Sequence, residues 1–250
     1  MPVRNCGALL RSAADSIIAQ TWPRWELIVV DDHSSDGSPE RLCGLDPRIR
    51  VVRNPGRGIV AALNAGAAAA SGEFLARMDG DDIALPWRLE AQLALLGDAP
   101  DIGIAGGRVE IFGGAPQLAA GYRAYQRWIN ALVTPHDIAR EIFIESPIPH
   151  PTAMLRRDVF DALGGYRDTP WAEDYDLWLR AFQAGVPMAK PREVVLRWRD
   201  APARLSRTSA RYSQHNFLRA KAHFLARTGL RGREAVIWGA GPTGRRLCDA

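Results

Sequence analysis

One stretch constrains this chain more than any other: Gly72-Glu-Phe-Leu-Ala-Arg-Met-Asp-Gly-Asp-Asp82. Phe74 to Met78 is an apolar run in which Arg77 is the only charge, and it predicts a buried strand. Three carboxylates, Asp79, Asp81 and Asp82, then crowd the strand end. Anions this close repel unless something cationic sits among them. A divalent metal holding a diphosphate suits the gap, because hard cations prefer oxygen ligands. A solvated acidic turn, with Asp82 capping the next helix, is the plainer alternative. The flanks favour a ligand site. Small residues precede the strand, and Ile83-Ala-Leu-Pro-Trp-Arg-Leu-Glu90 opens a helix after it. Open α/β sheets bind ligands at the carboxyl ends of their strands.

The rest of the chain supplies such a sheet. Leu9 to Ile18 is spaced as an amphipathic helix. Glu26 to Val30 and Ile49 to Val52 are strands, the first running into Asp31-Asp-His-Ser-Ser-Asp-Gly37. Ile59 to Ser71 is an alanine-rich helix, and Leu85 to Leu96 a helix with Pro86 at its first position. Ile102 to Ala105 and Val109 to Phe112 read as strands. Strands alternating with helices predict βαβ units and a mostly parallel sheet. Beyond these come helices over 135–143, 157–163 and 172–185, strands over 152–155 and 192–198, and an extended Ser146-Pro-Ile-Pro-His-Pro151. Asp174 stands in the first turn of the 172–185 helix, where the helix dipole favours an anion. A helix-capping role is its plainer reading.

Composition excludes several classes. Hydrophobic content is 47% and charged content 24%, as in an ordinary globular chain. The net charge of +4 comes without a stripe of basic residues alternating with aromatics, so nucleic acid is not an expected partner. It suits work beside an anionic membrane face. Three scattered cysteines, Cys6, Cys43 and Cys248, fit a reducing, cytoplasmic compartment and no metal cluster. No apolar run reaches the roughly 18 residues of a membrane span.

Taken together, the blocks resemble family 2 of the inverting nucleotide-sugar glycosyltransferases, which have the GT-A fold. Pro2-Val-Arg-Asn5 is similar to the family's turn after its first strand. Ser16-Ile-Ile-Ala-Gln-Thr-Trp-Pro23 with Glu26-Leu-Ile-Val-Val-Asp-Asp32 is similar to its second block. Gly58 through Gly66 to Phe74, and Asp79-Gly-Asp-Asp82, resemble its glycine-bearing helix and its Asp-x-Asp motif. His150-Pro-Thr-Ala-Met154, Gly164-Gly-Tyr-Arg167 and Glu173-Asp-Tyr-Asp-Leu-Trp-Leu-Arg180 resemble its acceptor half. The resemblance runs from residue 1 to about 215. It implies an α/β GT-A fold over 1–228, with a nucleotide half to about residue 112 and an acceptor half after it. It also implies that the family's first strand is lacking, and that a metal-reaching His of many relatives is replaced by arginines in 197–207.

The resemblance implies roles as well. Asp81 binds Mn²⁺ or Mg²⁺; Asp79 lies nearer the ribose; Asp32 bonds the base, with Pro2 and Arg4 flanking it and Asp31 shaping the turn. Asp174 is the general base, Glu173 and His150 meet the acceptor, and Arg204 and Arg207 contact the diphosphate. The donor is a nucleotide-diphosphate sugar, most simply a UDP-sugar. The acceptor is a glycan or lipid-linked molecule, with peripheral association at the inner membrane face. Two other readings stand beside this one: a metal-dependent nucleotidyltransferase, and a non-catalytic binding module. Gly239-Ala-Gly-Pro-Thr-Gly244, after an apolar Ala235 to Trp238, reads as the start of a further Rossmann-like unit over 229–250.

Overall fold

A computed structural model describes residues 1–113, 120–201, 204–230, 233 and 241–248. Its first sheet is parallel throughout, in the order β1 (Pro2–Val3), β2 (Leu27–Asp31), β3 (Ile49–Arg53). Val3 stands opposite Asp31, and Asp31 opposite Arg53. The strand expected to be lacking is therefore represented by two residues, and the Met1 amino group donates to the Ile28 carbonyl at 2.8 Å. Leu27 to Val30 are all buried, the continuous apolar run that helices on both faces require. Helix α1 (Leu9–Ile18) covers one face through Leu10, Ala13, Ala14 and Ile17, a stripe of helical period. Helix α2 (Ile59–Ala69) covers the other, with Ala62 against Ile28 and Val30.

The second sheet runs β4 (Phe74–Ala76), β8 (Met154–Arg156), β6 (Ile104–Ala105), β9 (Met188–Ala189). The third runs β5 (Ile83–Ala84), β10 (Val194–Arg199), β7 (Arg108–Phe112). Four of the seven described pairings are parallel; β8 runs against β4 and β6, and β5 runs against β10. The sheet is thus mixed and broken into three pieces, flanked by helices. A cavity of about 460 Å³ lies between β2 and β4, lined by apolar side chains such as Leu27, Leu63, Phe74 and Leu75.

Helix α3 (Arg88–Asp98) begins two residues after Pro86, with Trp87 as its cap, so Pro86 is not its first residue. Strands β5 and β9 lie outside the sequence reading; two-residue strands carry no periodicity. Helices α4 (Ala120–Ala131), α5 (Pro135–Glu141), α6 (Arg157–Ala162), α7 (Glu173–Gln183), α8 (Leu205–Thr208) and α9 (Gln214–Arg227) follow. His150–Thr152 is a 3₁₀ turn, so the proline-rich segment is extended only up to it. Pro242–Cys248 is helical (α10); the strand expected over 235–238, with Gly239 and Ala240, lies outside the described residues. Among the described residues, no helix is long and apolar enough to cross a membrane.

Candidate active site

The chain leaves β4 and turns sharply at Gly80. A Cβ there would come within 2.8 Å of Val3 and 3.0 Å of Cys6 Sγ, so only glycine lets the turn pack this closely. The turn brings oxygens of Asp79, Asp81 and Asp82 within 4.8 Å of one another. Asp79 pairs with the buried Arg77 at 2.6 Å. Burial, then the charge of Asp79, raises the Asp81 carboxyl above its ordinary value, against the opposing pull of Arg204 and Arg199. Asp82 is raised well above its own for the same two leading reasons. Asp82 is buried and does not cap α3: its Oδ1 accepts the Arg199 N–H at 2.7 Å, and its Oδ2 has no partner among the described residues. Clustered carboxylates with one orphaned, buried oxygen are a donor set that fits a hard divalent cation.

Beside this turn, two loops at the end of β1 and β2 are stitched together. The Asn5 N–H donates to Ser34 Oγ at 3.0 Å, the Ser35 N–H to Asn5 Oδ1 at 2.8 Å, and the Gly7 N–H to Asp36 Oδ2 at 2.8 Å. Asn5 has φ of 52°, a left-handed conformation that Asn tolerates. Asp31 shapes the turn by accepting the Ser34 N–H at 2.8 Å. Asp32 is buried and already engaged. It accepts Asn54 Nδ2 at 2.7 Å and the Gly58 N–H at 3.0 Å, so it braces the loop before α2. Pro2 is partly exposed and Arg4 exposed at the same sheet end.

The third component is the start of α7. Its cap is Ala172, so Glu173 and Asp174 both fall in the first turn. Trp178, with no exposed surface, anchors the helix in the core. Asp174 is partly exposed and accepts the Tyr175 N–H at 2.8 Å. Burial, then the charge of Glu173, pushes its carboxyl up to about 7, against the pull of Arg77. Glu173 is 1% exposed, and both its oxygens accept the Tyr212 hydroxyl, at 2.8 and 2.9 Å. His150 is also buried; its Nε2 is 2.9 Å from the Tyr166 hydroxyl and its Nδ1 3.7 Å from Glu173. Burial and the Arg77 charge hold His150 well below its ordinary value. The two residues expected to meet an acceptor therefore face each other and other protein groups.

Arg204 lies 4.0 Å from Asp200 and stacks over Trp198 at 4.3 Å. Arg207 bonds Asp200 at 2.6 Å and also contacts the Tyr122 hydroxyl. Two further arginines, Arg77 and Arg199, organise the site. Arg77 pairs with Asp79 and acts electrostatically on Asp174, His150 and Tyr212; a lone charge inside an apolar strand is its signal in the sequence. Arg199 Nε donates to the Asp81 carbonyl at 2.7 Å, tying β10 to the acidic turn; nothing in its sequence context distinguishes it from its neighbours.

The family model "Glycosyl transferase family 2" matches residues 1–164. EpsE of Bacillus subtilis, named as a candidate glycosyltransferase, is 31% identical over 224 residues, covering 86% of this chain and 77% of its own. The amylovoran biosynthesis glycosyltransferase AmsE of Erwinia amylovora is 27% identical over 238 residues, covering 88% and 86%. Among solved structures, Staphylococcus aureus TarS 1–349 in complex with UDP-GlcNAc superposes with a TM-score of 0.70 at 17% identity, covering 99% of this chain and 69% of that one. The Pyrobaculum calidifontis mannosyltransferase PcManGT, in complex with GDP-Man and Mn²⁺, superposes with a TM-score of 0.62 at 22% identity, covering 99% and 66%. The solved structures share the fold, EpsE is 31% identical over most of both chains, and the family model spans most of this one: the chain belongs to glycosyltransferase family 2.

Proposed function

We propose that the chain transfers a sugar, with inversion, from a nucleotide-diphosphate sugar to an acceptor hydroxyl. The observation that carries this reading is the placing of two carboxylate groups around one buried cation. Arg77 is ion-paired to Asp79 of the acidic turn, and its charge bears on Asp174 at the start of α7. In this reading Asp81, with Asp79 and Asp82 beside it, holds Mn²⁺ or Mg²⁺. The bound ion supplies Lewis-acid stabilisation of the departing diphosphate. Arg204 and Arg207 add guanidinium contacts to the same phosphates, for which their planar donors are suited. Asp32, Pro2 and Arg4 surround the base, and Asp79 the ribose.

Asp174 takes the acceptor's proton. As the acceptor oxygen bonds to the anomeric carbon from one face, the bond to the diphosphate breaks on the other. A base near 7 is matched to neutral pH, since enough is ionised to act and the proton is still held strongly.

UDP-GlcNAc in the TarS complex supports a UDP-sugar as donor, the amylovoran assignment of AmsE supports a role in polysaccharide synthesis, and the diphosphoundecaprenol acceptor named for WfgD of Escherichia coli supports a lipid-linked acceptor. The net charge of +4 supports peripheral work at the cytoplasmic face of a membrane. In this reading the transferase unit runs to about residue 228, the end of α9, and the segment over 229–250 is the start of a further Rossmann-like unit.

Calorimetry with UDP and Mn²⁺ tests the metal assignment. Asp81→Ala should lose metal-dependent UDP affinity while keeping its circular dichroism spectrum. The same metal-dependent affinity in the variant would overturn it.

A further inference from the structure

The two carboxylates at the start of α7 are chemically alike and adjacent, yet their surroundings differ. Glu173 is 1% exposed, and its oxygens are taken by the Tyr212 hydroxyl, with His150 also nearby. Asp174 is partly exposed and, among the described residues, keeps a single partner, the N–H of the next residue. We propose that Tyr212 is a positioning residue for Asp174: its hydroxyl binds Glu173 as the buried member of the pair and leaves Asp174 as the open one. Glu173 and His150 are then a shelf beneath the base rather than contacts to an acceptor. This inference rests on the reading of Asp174 as the base.

Tyr212 is well placed for such a task. It closes the 3₁₀ turn Ala210–Tyr212, which is pinned by Arg211 to Asp168 and by Asn216 Nδ2 to the Ala210 carbonyl at 2.9 Å. Burial, then the charges of Glu173 and Asp174, pushes the Tyr212 phenol upward, so the hydroxyl keeps its proton and remains a donor. Earlier in the chain, the Arg199 backbone N–H holds Asp82 and its side chain holds the Asp81 carbonyl. Arg199 therefore touches the acidic turn, and Tyr212 the α7 carboxylates.

The ionisable groups facing the pair are Arg77, Tyr125, His150, Tyr166, Tyr175 and Tyr212. Of these, Tyr212 alone among the described residues donates directly to Glu173. Without that donor the Glu173 charge, which after burial is what raises Asp174, loses its stabiliser, and Asp174 ionises at lower pH.

Carboxyl ¹³C NMR titration of the intact protein tests this without any sugar. In the wild type the Asp174 resonance should titrate near 7. In Tyr212→Phe its midpoint should fall by about one pH unit, with the melting temperature little changed. An unmoved midpoint in a folded Tyr212→Phe protein would overturn the proposal. Should that variant fail to fold, Glu173→Gln serves. Removing the neighbouring charge should lower the Asp174 midpoint likewise, and an Asp174 still titrating near 7 would overturn it. Because no transfer is measured, a failure here is distinct from a failure of the transferase reading.

Discussion

At the residue scale, the site is a set of charges held in an apolar frame, and its pH behaviour follows. Asp174 is raised from 3.8 to about 7 by burial and by Glu173. Between those values the folded protein retains a proton that the unfolded chain has lost. Stability therefore falls as pH rises through that window. Asp174→Asn never ionises, so it should melt higher than the wild type at pH 8, and the difference should vanish towards pH 4. A pH-independent difference would contradict the assigned cause. Arg77 makes the opposite case. Replacing it with Met strands Asp79 without its partner, and breaking a buried pair costs about 3–5 kcal/mol. Asp79 is partly solvated, which favours the lower figure; the urea midpoint measures it. The acidic turn was legible as a cluster, because three carboxylates stand within four residues directly after an apolar strand. The engagement of Glu173 with Tyr212 was not, since a contact across 39 residues leaves no trace in local pattern.

At the element scale, periodic segments were legible and short ones were not. Helix α1 spans the residues its apolar spacing dictates, Leu9–Ile18. Strand β2 falls one residue later than the apolar run suggests, at Leu27–Asp31. Strands β5 and β9 are defined by their pairing with β10 and β6, partners far away in the sequence. The joint between the sheets makes its own prediction. At Gly107, just before β7, a Cβ would stand 2.2 Å from Val195 of β10 and 3.0 Å from Thr152. Gly107→Ala should therefore cost about 1–3 kcal/mol by overpacking. It should also disturb β10, whose last residue, Arg199, holds the acidic turn. Chemical denaturation checks the first effect, and Mn²⁺-dependent UDP binding the second. A variant as stable as the wild type would mean that the strands can separate freely.

At the scale of the whole molecule, the two halves expected from the sequence share their cores. Val195 and Leu196 pack with Val3 and Leu10, and Leu63 and Ile104 pack with Tyr175 and Trp178. Unfolding should accordingly be one transition, with tryptophan fluorescence and far-ultraviolet circular dichroism coincident; two separated transitions would contradict the shared core. The interleaving also explains why the site lies where it does, since β4 and α7 reach it from opposite halves. The central claim is that Asp174 accepts the acceptor's proton while the acidic turn and its ion hold the donor. Its most direct measurement is the steady-state rate of UDP release by Asp174→Asn, from the preferred UDP-sugar with Mn²⁺ and the native acceptor. The expected kcat is lower by about 10²–10⁴-fold, with donor affinity unchanged. A near-normal kcat would contradict it.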